Sequence, residues 1–431
     1  MNPFVRIPYS GVGALATLAS RVTPAGSSKA LRSLRSRRHI IERFAEWGRV
    51  SREPARSLVW IHAPSVGEGL QALPVIELIR AQMDVQLAYT FYSPSAEAFA
   101  AGVGADFFDY LPFDTGRQMA AALDALRPSV IAFSKSDVWP TLAERAAARG
   151  VKLAILSATM PESSRRRSVL GRLALSDAYG LLDTVGAIDD QDAERLIEAG
   201  ANPQRVIVTG DTRYDQVWAR SEMPVSDIVA SLSTPTRGPT LVAGSTWPSD
   251  EEHLLPAWSR VVAERPGARL IIAPHEVTAK HLHAIETWAR DAGLRLSHVG
   301  NRAAATSEVV LVDRYGILGD LYALADFSYV GGGFHDAGLH SLLEPAAFGS
   351  PVIIGPRHTD NRDARLLIAA GAAFRCESTR EISARIVRWI DSVEARTRAG
   401  DAARDVVESG LGAAERSYSI ISRLLGAATG K

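Results

Sequence analysis

Glu68 stands between two glycines in Ser65-Val-Gly-Glu-Gly69, after an apolar run that reads as a strand and at the start of an apolar-periodic segment that reads as a helix. A carboxylate placed there can take a proton from an attacking hydroxyl, and the glycines let a substrate approach the backbone. The same residue type also satisfies helix N-terminal amides, so position alone leaves both roles open. A second group of candidates follows later strands. Asp313-Arg-Tyr315-Gly316-Ile317-Leu-Gly319 opens a helix whose free amides suit a phosphate, or else forms an ordinary strand-to-helix turn. Three glycines after Tyr329-Val330 imply a sharp turn or a ligand against the backbone, and Gly338-Leu-His-Ser341-Leu342-Leu343-Glu344 follows them. Ser341 and Glu344 have the spacing of a capping box, and Glu344 can also hold a ribose diol.

Four more candidates complete the set in the second half: Ser245 and Thr246 end one strand, and Pro274 and His275 end another. In the first half, Lys135 and Arg213 lie where strands end, which suggests an anionic ligand or a salt bridge to a nearby acid. The close histidine pairs His281/His283 and His335/His340 lack partners at metal-ligand spacing, so no metal is expected.

Elements that could position these residues alternate along the chain. Apolar runs at 57–63, 85–92, 130–133, 151–157, 185–188 and 206–209 read as strands, with helical patterns at 118–126, 141–149 and 191–199 between them. Strands resume at 240–243, 269–273, 309–312, 327–330 and 351–354. Nearly continuous apolar strands separated by helices predict parallel sheets covered on both faces. The expected boundaries are a basic N-terminal segment at 1–50, a Rossmann-like domain at 51–217, a Pro-rich linker at 218–239, a second Rossmann-like domain at 240–405 and a terminal helix at 406–431. Two such α/β domains facing across a cleft would hold ligands at the carboxyl ends of their strands.

Composition narrows the class. A chain of 431 residues with 46% hydrophobic and 22% charged residues suits a folded multidomain protein. Its 48 basic and 48 acidic residues argue against nucleic acid as a partner. A single cysteine, Cys376, excludes an intramolecular disulfide and fits a reducing cytoplasm. The charge is uneven, however: Arg6, Arg21, Lys29, Arg32, Arg35, Arg37, Arg38 and Arg43 face only Glu42 in the first 43 residues. This stretch reads as a solvated tail or as a segment lying on an anionic lipid surface, since its apolar run is too short to span a bilayer.

The order of the motifs is more specific than any one of them. Trp60-Ile-His-Ala-Pro-Ser-Val-Gly-Glu68, Lys135 to Pro140, Gly210 to Asp215, Gly244-Ser-Thr246, Pro274-His275, Tyr315-Gly-Ile317, Gly331 to Phe334, His340 to Pro345 and Gly349 to Pro356 together resemble the 3-deoxy-D-manno-octulosonic acid (Kdo) transferases. The resemblance runs from about residue 57 to 375. It implies a GT-B fold, an N-terminal acceptor domain and a C-terminal domain for the donor CMP-Kdo. It further implies inverting transfer to a lipid A precursor in lipopolysaccharide synthesis, no metal or other cofactor, and a peripheral place on the cytoplasmic face of the inner membrane.

By resemblance, Glu68 is the catalytic base. Pro274, His275, Tyr315, Gly316, Ile317 and Ser341 to Glu344 contact the nucleotide. The chain departs from the better-known members at Lys135-Ser-Asp137, Ala273-Pro-His275, Gly210-Asp-Thr-Arg213 and Ser341. A phosphate-binding arginine is missing at 273–275, and Lys135 and Arg213 are candidates to supply that charge. The competing expectations are a GT-B enzyme that uses a UDP-sugar and a silent lipid-binding scaffold.

Overall fold

The computed structural model describes residues 3–22, 28–162, 164–233 and 238–429. Its apolar runs form two all-parallel seven-stranded sheets. The first contains β1 (Ser57–His62), β2 (Val85–Phe91), β3 (Phe107–Tyr110), β4 (Val130–Ser134), β5 (Lys152–Ala158), β6 (Thr184–Ala187) and β7 (Val206–Val208). The second contains β8 (Thr240–Thr246), β9 (Arg269–Pro274), β10 (Leu296–His298), β11 (Val309–Leu311), β12 (Phe327–Val330), β13 (Val352–Ile354) and β14 (Ala373–Arg375). The strand orders are β3-β2-β1-β4-β5-β6-β7 and β10-β11-β9-β8-β12-β13-β14. The central strands are buried along nearly their whole length, as parallel strands covered by helices on both faces must be.

The first order reverses direction at β1/β4, and the second, apart from the swapped edge pair β10 and β11, at β8/β12. At such a switch point the two following loops run off in opposite directions and leave a crevice at the carboxyl edge. The register places His62 beside Phe133 and Val330 beside Gly244, so the loops after these strands start level with one another.

The chain divides into two units, Met1–Gln216 with Leu411–Lys431, and Val217–Gly410. These limits differ from the expected ones in three places. First, Ile40–Val50 is a helix of the first core: Ile40 and Phe44 are buried one turn apart, and the Phe44 ring meets Phe107 edge-on at 4.7 Å. Second, the expected linker carries helices at Arg213–Ser221 and Asp227–Leu232, with Val229 and Leu232 buried in the second unit, while 234–237 lie outside the described residues. Third, the expected terminal helix is two helices. Val393–Ser409 belongs to the second unit, and Ala413–Thr429 returns to bury Ile420 and Ile421 in the first. Asp215 fixes that return by accepting from the amides of Gly412 at 2.7 Å and Ala414 at 3.0 Å.

The basic run near the start also divides. Arg37 is buried and donates to the carbonyls of Leu111 and Tyr92, and Arg43 forms a two-point ion pair with Asp109. Arg32 and Arg35 remain exposed. The helix Pro3–Val22 turns polar residues inward, with Tyr9 donating to Asp114 at 2.8 Å and Gln118 donating to Thr17 at 2.9 Å. Its Ile7, Val12, Leu15, Leu18 and Val22 are exposed. Among the described residues no helix is long and apolar enough to cross a membrane.

Candidate active site

The first sheet's switch point brings Glu68 and Lys135 together. Glu68 lies in the first turn of the helix Val66–Gln82 after β1, and Lys135 directly follows β4. Lys135 Nζ is 3.5 Å from Glu68 Oε1, the Ser65 hydroxyl donates to Oε2, and Ser134 Oγ donates to the Glu68 carbonyl at 2.9 Å. Lys135 adopts φ 67°, a left-handed backbone uncommon outside glycine that turns the chain sharply at the strand end. The carboxylate is therefore held at two points and the residue's backbone carbonyl at a third, with one carboxylate oxygen beside a half-exposed ammonium. This is the salt bridge that the sequence left as one of two roles for Lys135. Arg213 takes the same role, binding buried Asp211 through Nε at 2.9 Å and Nη2 at 2.7 Å. That pair leaves the anion-binding expectation for Arg213 without support, because its charge is met inside the fold.

Behind Glu68, His62 on β1 is fully buried. Its Nε2 accepts from the Trp139 indole at 2.8 Å, which assigns Nδ1–H as donor to Thr90 at 3.0 Å. Burial pushes this imidazole down to about 3, only partly opposed by the contact with Thr90. An unfolded chain protonates its histidine near the ordinary value of 6.5, so below that point the unfolded state binds the extra proton. Stability from His62 is thus complete above 6.5 and drains as pH falls toward 3. We expect its share to drop by about 2 kcal/mol between roughly pH 7 and pH 5. Chemical denaturation at both values should show a smaller pH difference in His62→Gln than in the wild type. Equal differences would contradict this account.

In the second unit, the loops after β8, β9 and β12 meet. The Trp247 ring stacks on His335 at 4.0 Å and on His275 at 4.4 Å, and its indole donates to His340 Nε2 at 3.2 Å. Burial lowers His340 to about 4 with help from His275, and burial lowers His275 as well. These two imidazoles are neutral near pH 7, and with His335 they pack against the indole as a cluster of stacked rings. Asp250, wholly buried, organises the cluster. Its Oδ2 accepts from the amides of Trp247 at 3.0 Å and Gly332 at 2.8 Å, and its Oδ1 from Tyr329 Oη at 3.1 Å and the Phe334 amide at 3.2 Å. The glycine run is required because a Cβ on Gly331 would sit 2.1 Å from the carbonyl oxygen of Ser245. Neither Trp247 nor Asp250 stood out in the sequence. The available signal was a tryptophan directly after Gly-Ser-Thr246 with an acid three residues on.

Other predicted residues fall at the same edge of this unit, with some corrections. Pro274 ends β9 opposite Thr246. The Thr246 hydroxyl donates to Glu251 at 2.7 Å, so it is committed within the fold and not available to an anion. Ser245 has φ 53° and sits at a register shift. Tyr315 is exposed, yet its hydroxyl accepts from the Val277 amide at 3.0 Å, tying the 313–317 loop to the one after β9. At the base of that loop, Asp313 accepts from His298 at 2.9 Å, and Glu286 takes the other ring nitrogen at 2.8 Å. The helix expected beyond Gly316 is one turn, Leu318–Leu321.

The capping box expected at Ser341 and Glu344 does not form, because the helix Leu343–Ala347 starts one residue later, with Leu342 at its cap and no side-chain hydrogen bond there. Leu342 and Leu343 are buried, so only their backbone can meet a ligand. Glu344 makes no hydrogen bond among the described residues, and burial raises its carboxyl, with Arg220 opposing. No metal-binding group of three His, Cys, Asp or Glu side chains occurs among the described residues.

The family model for 3-deoxy-D-manno-octulosonic-acid transferase (kdotransferase) matches residues 18–216. The 3-deoxy-D-manno-octulosonic acid transferase of Bordetella pertussis is 30% identical over 400 residues, covering 89% of this chain and 91% of the relative. That of Haemophilus influenzae is 25% identical, covering 92% and 93%. Among solved structures, the UDP-GlcNAc 2-epimerase from Neisseria meningitidis bound to UDP-GlcNAc aligns with a TM-score of 0.60 at 13% identity, over 86% of this chain and 99% of that one. At that identity the likeness concerns the fold alone.

Proposed function

The chain belongs to the Kdo transferases, GT-B glycosyltransferases of lipopolysaccharide synthesis, and on that footing we propose that it transfers Kdo from CMP-Kdo to a lipid A precursor with inversion. The observation that carries this reading is Glu68, held by Lys135 and Ser65 at the first sheet's switch point. In the proposed step an acceptor hydroxyl oxygen bonds to the anomeric carbon of Kdo while its proton passes to Glu68. The bond from that carbon to the phosphate oxygen breaks on the opposite face, and CMP leaves with the electron pair. Oriented groups lower the barrier by removing the entropy of encounter and by stabilising the charge that develops.

The second unit is the proposed donor half. The stacked rings of Trp247, His275, His335 and His340 offer a planar base a ring face on which to continue the stack, and Glu344 offers an unused carboxylate to ribose hydroxyls. No resident metal or other cofactor is part of the proposal. The exposed apolar face of Pro3–Val22, with Arg32 and Arg35 near it in sequence, supports a peripheral place on the anionic cytoplasmic face of the inner membrane.

One assay tests the reading. The acceptor is presented in anionic vesicles with CMP-Kdo and excess EDTA, and CMP release is followed together with the acceptor's mass. We expect CMP release that requires acceptor, a mass gain of one or more Kdo units, no transfer from UDP-GlcNAc, and co-sedimentation of the protein with the vesicles. Transfer from the UDP-sugar, or no CMP release, would overturn the assignment.

A further inference from the structure

We propose that a cavity of about 550 Å3 in the second unit seats the sugar acid of the donor, and that Arg357 is the cation receiving its carboxylate. This rests on the donor named above and goes further by assigning the sugar subsite. His335, Asp336 and Leu339 line the cavity from the loop after β12, and Arg357, His358 and Asn361 line it from the loop after β13. These strands are neighbours in register, so both loops leave the carboxyl edge where doubly wound sheets bind ligands.

The walls are set by backbone. The Arg357 amide donates to the Gly333 carbonyl at 2.9 Å. A Cβ on Gly355 would lie 2.5 Å from the Gly333 carbonyl carbon, and one on Gly333 would lie 2.4 Å from the Gly355 nitrogen. The two loops therefore touch through bare glycine backbone, which holds Arg357 in place without help from a ligand. His335 belongs to both places, since it lines this cavity and stacks on Trp247. A nucleotide base on the aromatic surface would thus have its sugar beside the cavity.

Charge selects the occupant. At this edge His275 and His340 have lost their positive charge to burial, whereas a guanidinium keeps its own. Arg357 is 57% exposed and pairs with Asp336, itself 87% exposed. Such a surface pair is weakly held, so an incoming carboxylate can replace it while reproducing its chemistry. The remaining groups suit hydroxyls. His358 Nδ1 lies 2.8 Å from the Pro356 carbonyl, which assigns it as the donor and leaves Nε2 as an acceptor. Asn361 uses its oxygen to cap the Ala364 amide at 2.9 Å, which leaves its amide hydrogens to donate. A neutral sugar on a UDP donor would have no use for Arg357.

The test compares wild type, Arg357→Gln, Arg357→Lys and Asp336→Asn, each read by KM for CMP-Kdo, by kcat and by the thermal shift with CMP alone. Arg357→Gln should raise KM roughly tenfold or more and change kcat less, with the CMP shift retained; Arg357→Lys should recover part of the loss. Asp336→Asn, which removes the competing carboxylate, should lower KM roughly two- to threefold. An unchanged KM in Arg357→Gln would overturn the proposal. So would a parallel loss of the CMP shift, which would place Arg357 on the nucleotide phosphate. A wild type that binds neither CMP nor CMP-Kdo would overturn the donor reading itself, and is read before any variant.

Discussion

Glu68→Ala is expected to lower transfer turnover by about a hundred-fold or more while leaving the thermal shift with CMP intact. The substitution removes the carboxylate placed at the first sheet's switch point by Ser65 and Lys135, and it leaves the second unit untouched. Glu68→Gln sharpens the result, since the amide keeps the shape and the contact with Ser65 but cannot take the proton. Lys135→Ala should cost less than either, because it loosens the base without deleting it. The readout that separates roles is the split between kcat and KM. A base acts in the transition state, so kcat should carry the loss with donor KM near normal. Turnover within about threefold of wild type in Glu68→Gln would end the assignment of Glu68 as base.

Glu68 was legible in the sequence because a carboxylate flanked by glycines at a strand-to-helix turn is an unusual local pattern. Its partner was not. Lys135 lies 67 positions later, and nothing in apolar periodicity says that β4 pairs with β1. Strand order follows from how crossovers pack, which local patterns leave open. The same limit explains the missed strands. β3, β10 and β14 have four, three and three residues, and β3 and β14 are partly exposed, so the continuous apolar run that betrays a central parallel strand is absent. The central strands β1, β4, β8 and β9 could be read directly because burial on both faces forces that run. Arg37 went the other way: it counted as part of a basic surface stretch, and only the carbonyls of Leu111 and Tyr92 show why an arginine is buried there.

Asp250→Ala is expected to be the most damaging single change in the second unit. The carboxylate is wholly buried and accepts four hydrogen bonds: three from amides at Trp247, Gly332 and Phe334, and one from the Tyr329 hydroxyl. Alanine leaves those amides in a space closed to water, and losing a charged partner from such a network costs about 3–5 kcal/mol. For a unit of this size that corresponds to a melting point lower by roughly 10 °C. Asp250→Asn predicts a graded effect. Its amide nitrogen can take the Oδ1 position, where the Tyr329 oxygen can accept from it and only the Phe334 amide loses its partner, so the cost falls to about 1–2 kcal/mol. Function should follow the same order. Trp247 and the glycine loop are tied to each other through this carboxylate, the indole contact to His340 and the stack on His335, so removing the carboxylate loosens the aromatic cluster on which the base is proposed to stack. The CMP shift should therefore vanish in Asp250→Ala and survive, weakened, in Asp250→Asn. An Asp250→Ala protein that melts like the wild type and still responds to CMP would show that the loop holds its shape by its glycines alone.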